Sequence, residues 1–396
     1  MQFSALGSLS LGIIALLVGK HLKSKWSFLR KWSIPDSVAG GMLFAAVFTV
    51  LYLVIGTAPV FELRIRDILL VYFFTAVGLN ADARALRAGG LSLAFLIVLI
   101  TVMICVQNGI GVSIARAFGL PAAMGVIAGS VSLLGGHGTA IGWGPTLASQ
   151  FGVENAERMG VSVATAGLVM GSVLGGPVAR FLIALRKLEP EKGERPDAGI
   201  SFAAAETTVD YISILRALLA LNVAVWIGLQ AEKVVAALDI TLPSFVTSML
   251  AAILLTNTVP HLFKKLAWPA GSVSLAILSE LSLGIFLGMS LMSLELWSLA
   301  ALAIPILVIL LAQAVAAVAY SVLVVFPVIG RDYDSAVVCG GFIAMSLGAL
   351  LVALASMTAV TREYGAAHRA FIIVPLAGAF FIDIANSILI GIFAAM

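Results

Sequence analysis

The run Ser130-Val-Ser132-Leu-Leu-Gly135-Gly136-His137-Gly138-Thr139 gathers three hydroxyls and an imidazole around four glycines. A Gly-rich turn that opens a helix can aim unpaired N–H groups at a carboxylate, and the helix dipole favours negative charge there. The Ser and Thr hydroxyls add donors. His137 reads as a substrate donor, a proton carrier or a satisfied structural histidine. Asp383 and Asn386, at i and i+3, share one helical face. A carboxylate beside an amide oxygen suits an ammonium group, or a sodium ion, which takes hard oxygen ligands. Glu280 is a second buried-run carboxylate, readable as a cation ligand or as half of an internal ion pair. Gln107 and Gln313 read as interhelical hydrogen-bonders. Arg158 and Arg369 read as topology anchors, with a carboxylate clamp as the alternative. Gly160-Val-Ser162 with His137 could form a Ser–His dyad. That spacing arises readily by chance in Gly- and Ser-rich helices, so the chain is not read as an enzyme.

The elements that must hold these residues are hydrophobic. Of 396 residues 61% are hydrophobic and 11% charged, and the mean hydropathy is +1.12. A soluble domain is about one quarter charged. Lipid-facing helices, each about 20 residues long, account for this balance. Net charge of +3 gives no sign of nucleic-acid binding. Cys105 and Cys339 fall inside apolar runs as small core residues, with no cofactor or metal motif beside them. The N-terminal run lacks a leading basic segment and reads as a retained first helix.

Apolar runs predict about ten spans, near 4–20, 35–55, 65–81, 91–117, 158–180, 211–229, 241–260, 271–291, 297–326 and 370–394. The polar stretch 186–210 divides the chain into a first half, 1–185, and a second, 211–396. Two Gly-rich segments, 121–151 and 335–364, are too broken for simple spans and predict re-entrant hairpins. Irregular backbone at membrane depth is tolerated only when buried in protein or lining a cavity. With both termini outside and the linker cytoplasmic, Arg64, Arg66, Arg116, Arg158 and Lys233 lie outside, leaving 18 of 23 Lys and Arg inside. Five spans per half is odd, so the second half must enter the membrane inverted. A 213-residue offset pairs Phe151-Gly152 with Tyr364-Gly365, Gly135 with Gly348, and Asp67 with Glu280. Ile34-Pro35 corresponds to Leu242-Pro243. The fold class expected is therefore an all-α polytopic membrane protein of two inverted five-helix repeats, each with a hairpin. Broken segments in such repeats point to a secondary transporter with its site at the repeat interface. The stripe Gly167, Gly171 and Gly175 reads as close helix packing.

Four blocks together resemble the bacterial sodium/glutamate symporter family: Val71-Tyr-Phe-Phe-Thr-Ala-Val-Gly-Leu79, the Gly135–Ala140 segment, Leu291-Met-Ser-Leu294, and Val374-Pro-Leu-Ala-Gly-Ala-Phe-Phe-Ile-Asp-Ile-Ala-Asn386. The resemblance spans nearly the whole chain. It implies an L-glutamate:Na⁺ symporter of the cell (inner) membrane, a homodimer with elevator-like movement, and Na⁺ as coupling ion with no cofactor. On that reading Ser130, Ser132, Gly135, Gly136, His137, Gly138, Thr139 and Asp383 bind substrate. Asp383, Asn386, Glu280, Ser346 and Ser356 bind sodium. One departure stands out. Where the family has Thr-Pro-Thr and later Asn in the second hairpin, this chain has Leu350-Leu351-Val352 and Ser356. Oxygen ligands and a helix-breaking proline are lost there, which opens coupling and substrate choice. The alternative reading is therefore the same architecture with another carboxylate or with protons as the coupling ion. A channel is disfavoured, because no filter-like carbonyl motif is present.

Overall fold

The computed structural model describes residues 2–396 except 28, 30–33, 82, 191–209, 238–241, 264–266 and 295–302. Most of the expected linker lies outside the described residues, as do Arg30, Lys31, Lys192, Arg195, Lys264 and Lys265 of the charge bias. Helices α1 (Ala5–Lys25), α2 (Asp36–Ile55), α3 (Arg64–Asn80) and α4 (Ala83–Ala117) come first. Helix α5 (Ala122–Val126) runs into a π turn at Ile127–Val131, followed by α6 (Gly136–Phe151) and α7 (Ala156–Arg186). The second half has α8 (Tyr211–Ala236), α9 (Ser244–Leu262), α10 (Val273–Met292) and α11 (Ala303–Tyr320). Next come α12 (Phe326–Ile329), α13 (Tyr333–Tyr364), α14 (His368–Leu376) and α15 (Ile382–Ala394). The strands, β1 (Gln2–Phe3) and β2 (Val60–Phe61), pair in parallel, and the Phe3 and Phe61 rings stack.

Among the described residues eight helices are long and apolar enough to cross a membrane: α1, α2, α4 from Gly90, α7, α8, α9, α10 and the run Ile304–Ile329. The chain is an all-helical multi-pass membrane protein. The other two expected spans are helical but different in kind. Helix α3 has 17 residues, with Arg64, Arg66 and Asp67 in its first turn. The last span is interrupted by a π segment at Ala377–Phe381, just after Pro375. Proline has no N–H to donate, so the helical ladder is already weakened there.

The chain divides into two compact units that cut across its halves. One unit holds α1–α3 and α8–α10. Within it the helix crossings come in matched pairs. A Cβ on Gly40 would overlap the carbonyl oxygen of Ala15, bringing α2 onto α1; a Cβ on Gly228 would overlap Ser248, bringing α8 onto α9. Gly41 packs on Leu291 and Gly78 on Met249. Between lipid-exposed helices such close approach supplies the van der Waals contact that water would otherwise drive.

The second unit holds α4–α7 and α11–α15. Here α7 is the spine. Its Gly160 faces Ile127 and Ala140, on the two arms of the first Gly-rich segment. Its Gly175 faces Gly340 and Ser356, residues of α13 that are 16 positions apart. Helix α13 cannot be one straight rod, since 32 residues at about 1.5 Å each would separate its ends by about 48 Å. Instead the Tyr333 hydroxyl donates to the Gly365 carbonyl at 2.6 Å, and Gly341 packs on Met357. The chain therefore doubles back within α13, without the proline of the family pattern. The glycine stripe on α7 packs as expected: a Cβ on Gly171 would lie 2.8 Å from the Ala344 carbonyl oxygen, and one on Gly175 2.6 Å from that of Gly340.

Candidate functional site

The first doubled-back segment breaks at Gly129, whose φ/ψ of −100/−125 leaves the helical range. The break frees backbone groups of Ser130, and two asparagines take them. The Asn108 Oδ1 accepts from the Ser130 N–H at 3.1 Å. The Asn386 Nδ2 donates to the Ser130 carbonyl at 3.0 Å, which also accepts from the Gly135 N–H at 2.9 Å. The turn then reverses through Gly136, at φ 71, and α6 begins. Residues Gly136–Thr139 form its first turn, so their N–H groups precede the intrahelical ladder.

The neighbouring residue on α4 holds the other tip. The Gln107 Nε2 donates to the Ser346 carbonyl at 2.7 Å. The Gln313 Nε2, from α11, donates to the Gln107 carbonyl at 2.7 Å. Consecutive residues, Gln107 and Asn108, thus pin the second and first tips respectively. Leu133 and Leu347, one from each tip, meet on the same Gly167 of α7. Gln107, Asn108, Ser130, Gln313, Ser346 and Asn386 are all fully buried. Each keeps one side-chain atom with no hydrogen-bond partner among the described residues: Gln107 Oε1, Asn108 Nδ2, Ser130 Oγ, Gln313 Oε1, Ser346 Oγ and Asn386 Oδ1. The Ser132 Oγ is likewise unpartnered. Buried polar atoms are nearly always paired, so such a concentration marks a place where something binds.

The expected site residues fall here with two exceptions in detail and one in place. The Thr139 hydroxyl lies 3.5 Å from Asp383 Oδ1, a long contact that joins α6 to α15. The Thr165 hydroxyl donates to the Val161 carbonyl at 2.8 Å, and its single proton is thereby used. It can only accept from His137 Nε2, 3.0 Å away. Neutral His137 therefore carries its proton on Nε2 and presents Nδ1 as an acceptor, the reverse of a substrate donor. Ser356 is buried against Gly175, in the arm of α13 rather than at its tip. Glu280 belongs to the other unit, exposed on α10. Its repeat partner Asp67 sits 2.7 Å from the Arg66 guanidinium. Arg369 clamps a carboxylate, that of Asp332, which also accepts from the Ser335 N–H and hydroxyl. Arg158 bonds Asn155 at 2.7 Å. Asn108 and Thr165 escaped the sequence reading. The polar pair Gln107-Asn108 inside the run from Thr101 to Ala117 was the signal for the first.

The sodium/glutamate symporter family model matches residues 1–366. The sodium/glutamate symporter of Escherichia coli (strain K12) is 35% identical, with 99% of this chain and 98% of the relative covered. That of Haemophilus influenzae (strain ATCC 51907 / DSM 11121 / KW20 / Rd) is 34% identical, with 98% and 97% covered. The Gly-rich tip and the polar pair that hold the site are parts of one continuous likeness. The chain belongs to the sodium/glutamate symporter family.

Proposed function

We propose that this chain is a sodium-coupled symporter of L-glutamate that binds its cargo where the two doubled-back tips meet. The observation carrying this reading is the pinning of both tips by Gln107 and Asn108, amid buried polar atoms left unpaired. Glutamate presents two carboxylates and one ammonium. The first-turn N–H groups of α6 and the hydroxyls of Ser130, Ser132 and Thr139 serve a carboxylate. Asp383 and the Nδ1 of His137 serve the ammonium. An ionised Asp383 and glutamate, net −1, bring two negative charges to mid-membrane. Isolated charge is costly there, so co-bound sodium offsets it. Asn386 Oδ1 is free to join Asp383 as a sodium ligand, its amide nitrogen being engaged by Ser130.

The two tips enter as re-entrant hairpins, and the halves are inverted repeats. The crossings in the first unit support this. Adding 208 to Gly41 gives Met249, and adding 213 to Gly78 gives Leu291, so the contact of Gly41 with Leu291 maps onto that of Met249 with Gly78. In this reading both termini face outward and the linker is cytoplasmic. The protein works as a homodimer, with the site-bearing unit moving as a body in an elevator-like cycle. That every residue of the site belongs to one compact unit supports this last step.

Labelled glutamate uptake into proteoliposomes tests the proposal. Uptake is expected with an inward Na⁺ gradient and not with a proton gradient alone. Uptake driven by protons without sodium would replace sodium with protons as coupling ion, and competition by other dicarboxylates measures substrate choice.

A further inference from the structure

The unpaired atoms at the tips divide by chemistry. Around the first tip donors are present: Asn108 Nδ2 and the hydroxyls of Ser130 and Ser132. Around Gln107 the unpaired atoms are oxygens: Gln107 Oε1, Gln313 Oε1 and Ser346 Oγ. The amide orientations are fixed by their partners. Each glutamine nitrogen faces a carbonyl oxygen, that of Ser346 or of Gln107, at 2.7 Å. Flipping either amide would set oxygen against oxygen, so the atom left over is the oxygen in both cases. These three residues are linked through one chain of bonds running from α11 to α4 to the α13 tip, and all are fully buried. Buried carbonyl oxygens with no donor are costly. A small hard cation satisfies them, and water satisfies them less well because it must also place two protons.

We propose that Gln107, Gln313 and Ser346 form a sodium site made of neutral oxygens, separate in its ligands from Asp383 and Asn386. It rests on the sodium-symport reading above and assigns that reading a second ion position. A cation here draws the Gln107 and Gln313 oxygens and the Ser346 hydroxyl together, and so ties the second tip to α4 and α11. Because no carboxylate takes part, its occupancy is independent of the protonation of Asp383.

Ser346→Ala is the sharpest test, since it removes a hydroxyl with no other partner and leaves the Ser346 carbonyl bonded to Gln107. Gln313→Met is the second variant. The purified protein is titrated with NaCl at constant ionic strength against choline chloride, reading thermal unfolding without glutamate. Na⁺-dependent uptake is measured in parallel. Loss of one oxygen from a cation corresponds to about tenfold or more in sodium affinity. Both variants are expected to raise the half-saturating Na⁺ concentration by that factor, with the glutamate KM at saturating Na⁺ unchanged. A half-saturating Na⁺ within twofold of wild type in Ser346→Ala overturns the site while leaving sodium symport standing. A raised glutamate KM with unchanged sodium response assigns the residues to substrate and also overturns it. Wild-type uptake indifferent to sodium removes the symport reading and this site together.

Discussion

Asp383 and Asn386 share a helical face, yet they do different work. Asn386 spends its nitrogen on the broken backbone at Ser130, while Asp383 reaches only one protein donor, Thr139, at 3.5 Å. A carboxylate so lightly held is poised for an incoming cation. Asp383→Asn is expected to reduce Na⁺-driven glutamate uptake to background while membrane insertion and gel-filtration behaviour stay as in wild type. Uptake in proteoliposomes beside a size-exclusion profile checks both. Asn108→Ala has the opposite profile: it strands the Ser130 N–H and destabilises the protein by about 1–3 kcal/mol. A fall in the unfolding temperature in detergent measures it. The i, i+3 spacing and the hydroxyl-rich turn were legible in the sequence, because helical periodicity and the polarity of Ser130–Thr139 are local properties. Asn108 was not. Its partner is an N–H freed 22 residues away by a backbone break at Gly129, and only the folded chain shows that. The tautomer of His137 was hidden for the same reason, since it depends on where the Thr165 proton goes.

Elements meet here through glycine, and adjacent positions separate packing from mere flexibility. Gly175 abuts the Gly340 carbonyl and the Ser356 hydroxyl, whereas a Cβ on Gly176 would meet nothing within 4 Å. Gly175→Val is expected to cost about 1–3 kcal/mol or to abolish folded yield, and Gly176→Val to change little. Fluorescence-detected size exclusion of the two variants side by side decides it. The base of α13 is closed by the Asp332–Arg369 pair and by Tyr333. Partial burial pushes the Asp332 carboxyl up, but hydrogen bonds from Ser335 and the Arg369 guanidinium outweigh it and hold it below its ordinary value. A depressed carboxylate contributes stability above its unfolded pKa, about 3.9, which is lost as pH falls through the folded value. Arg369→Gln is expected to lower the unfolding temperature at pH 7 and to narrow its difference between pH 7 and pH 3. The doubled-back course of α13 could be anticipated from its glycines and from the repeat. Leu350-Leu351-Val352, in contrast, gave no local sign of a turn, because the residues that usually break a helix are missing.

At the scale of the molecule the sequence reads as two halves, and the structure as two units, each built from both. Hydropathy finds spans one at a time and carries no information on which faces meet. The glycine contacts that sort α1–α3 with α8–α10, and α4–α7 with α11–α15, therefore lay beyond it. Separate expression of residues 1–190 and 205–396 is expected to yield two unstable fragments. Coexpression is expected to restore Na⁺-driven uptake, because each unit then recovers its missing helices. Pulse-chase turnover of the fragments, with uptake in the same cells, checks this outcome. The interleaving also sets a timetable for biosynthesis. The first unit has all its helices once Met292 has been made. The spine α7 ends at Arg186, yet the α13 arms it supports begin only at Tyr333. At 5–20 residues per second, the glycine face of α7 waits in the bilayer for roughly 7–30 s before its partner is made. During that interval lipid, or an insertion chaperone, must shield a surface shaped for protein.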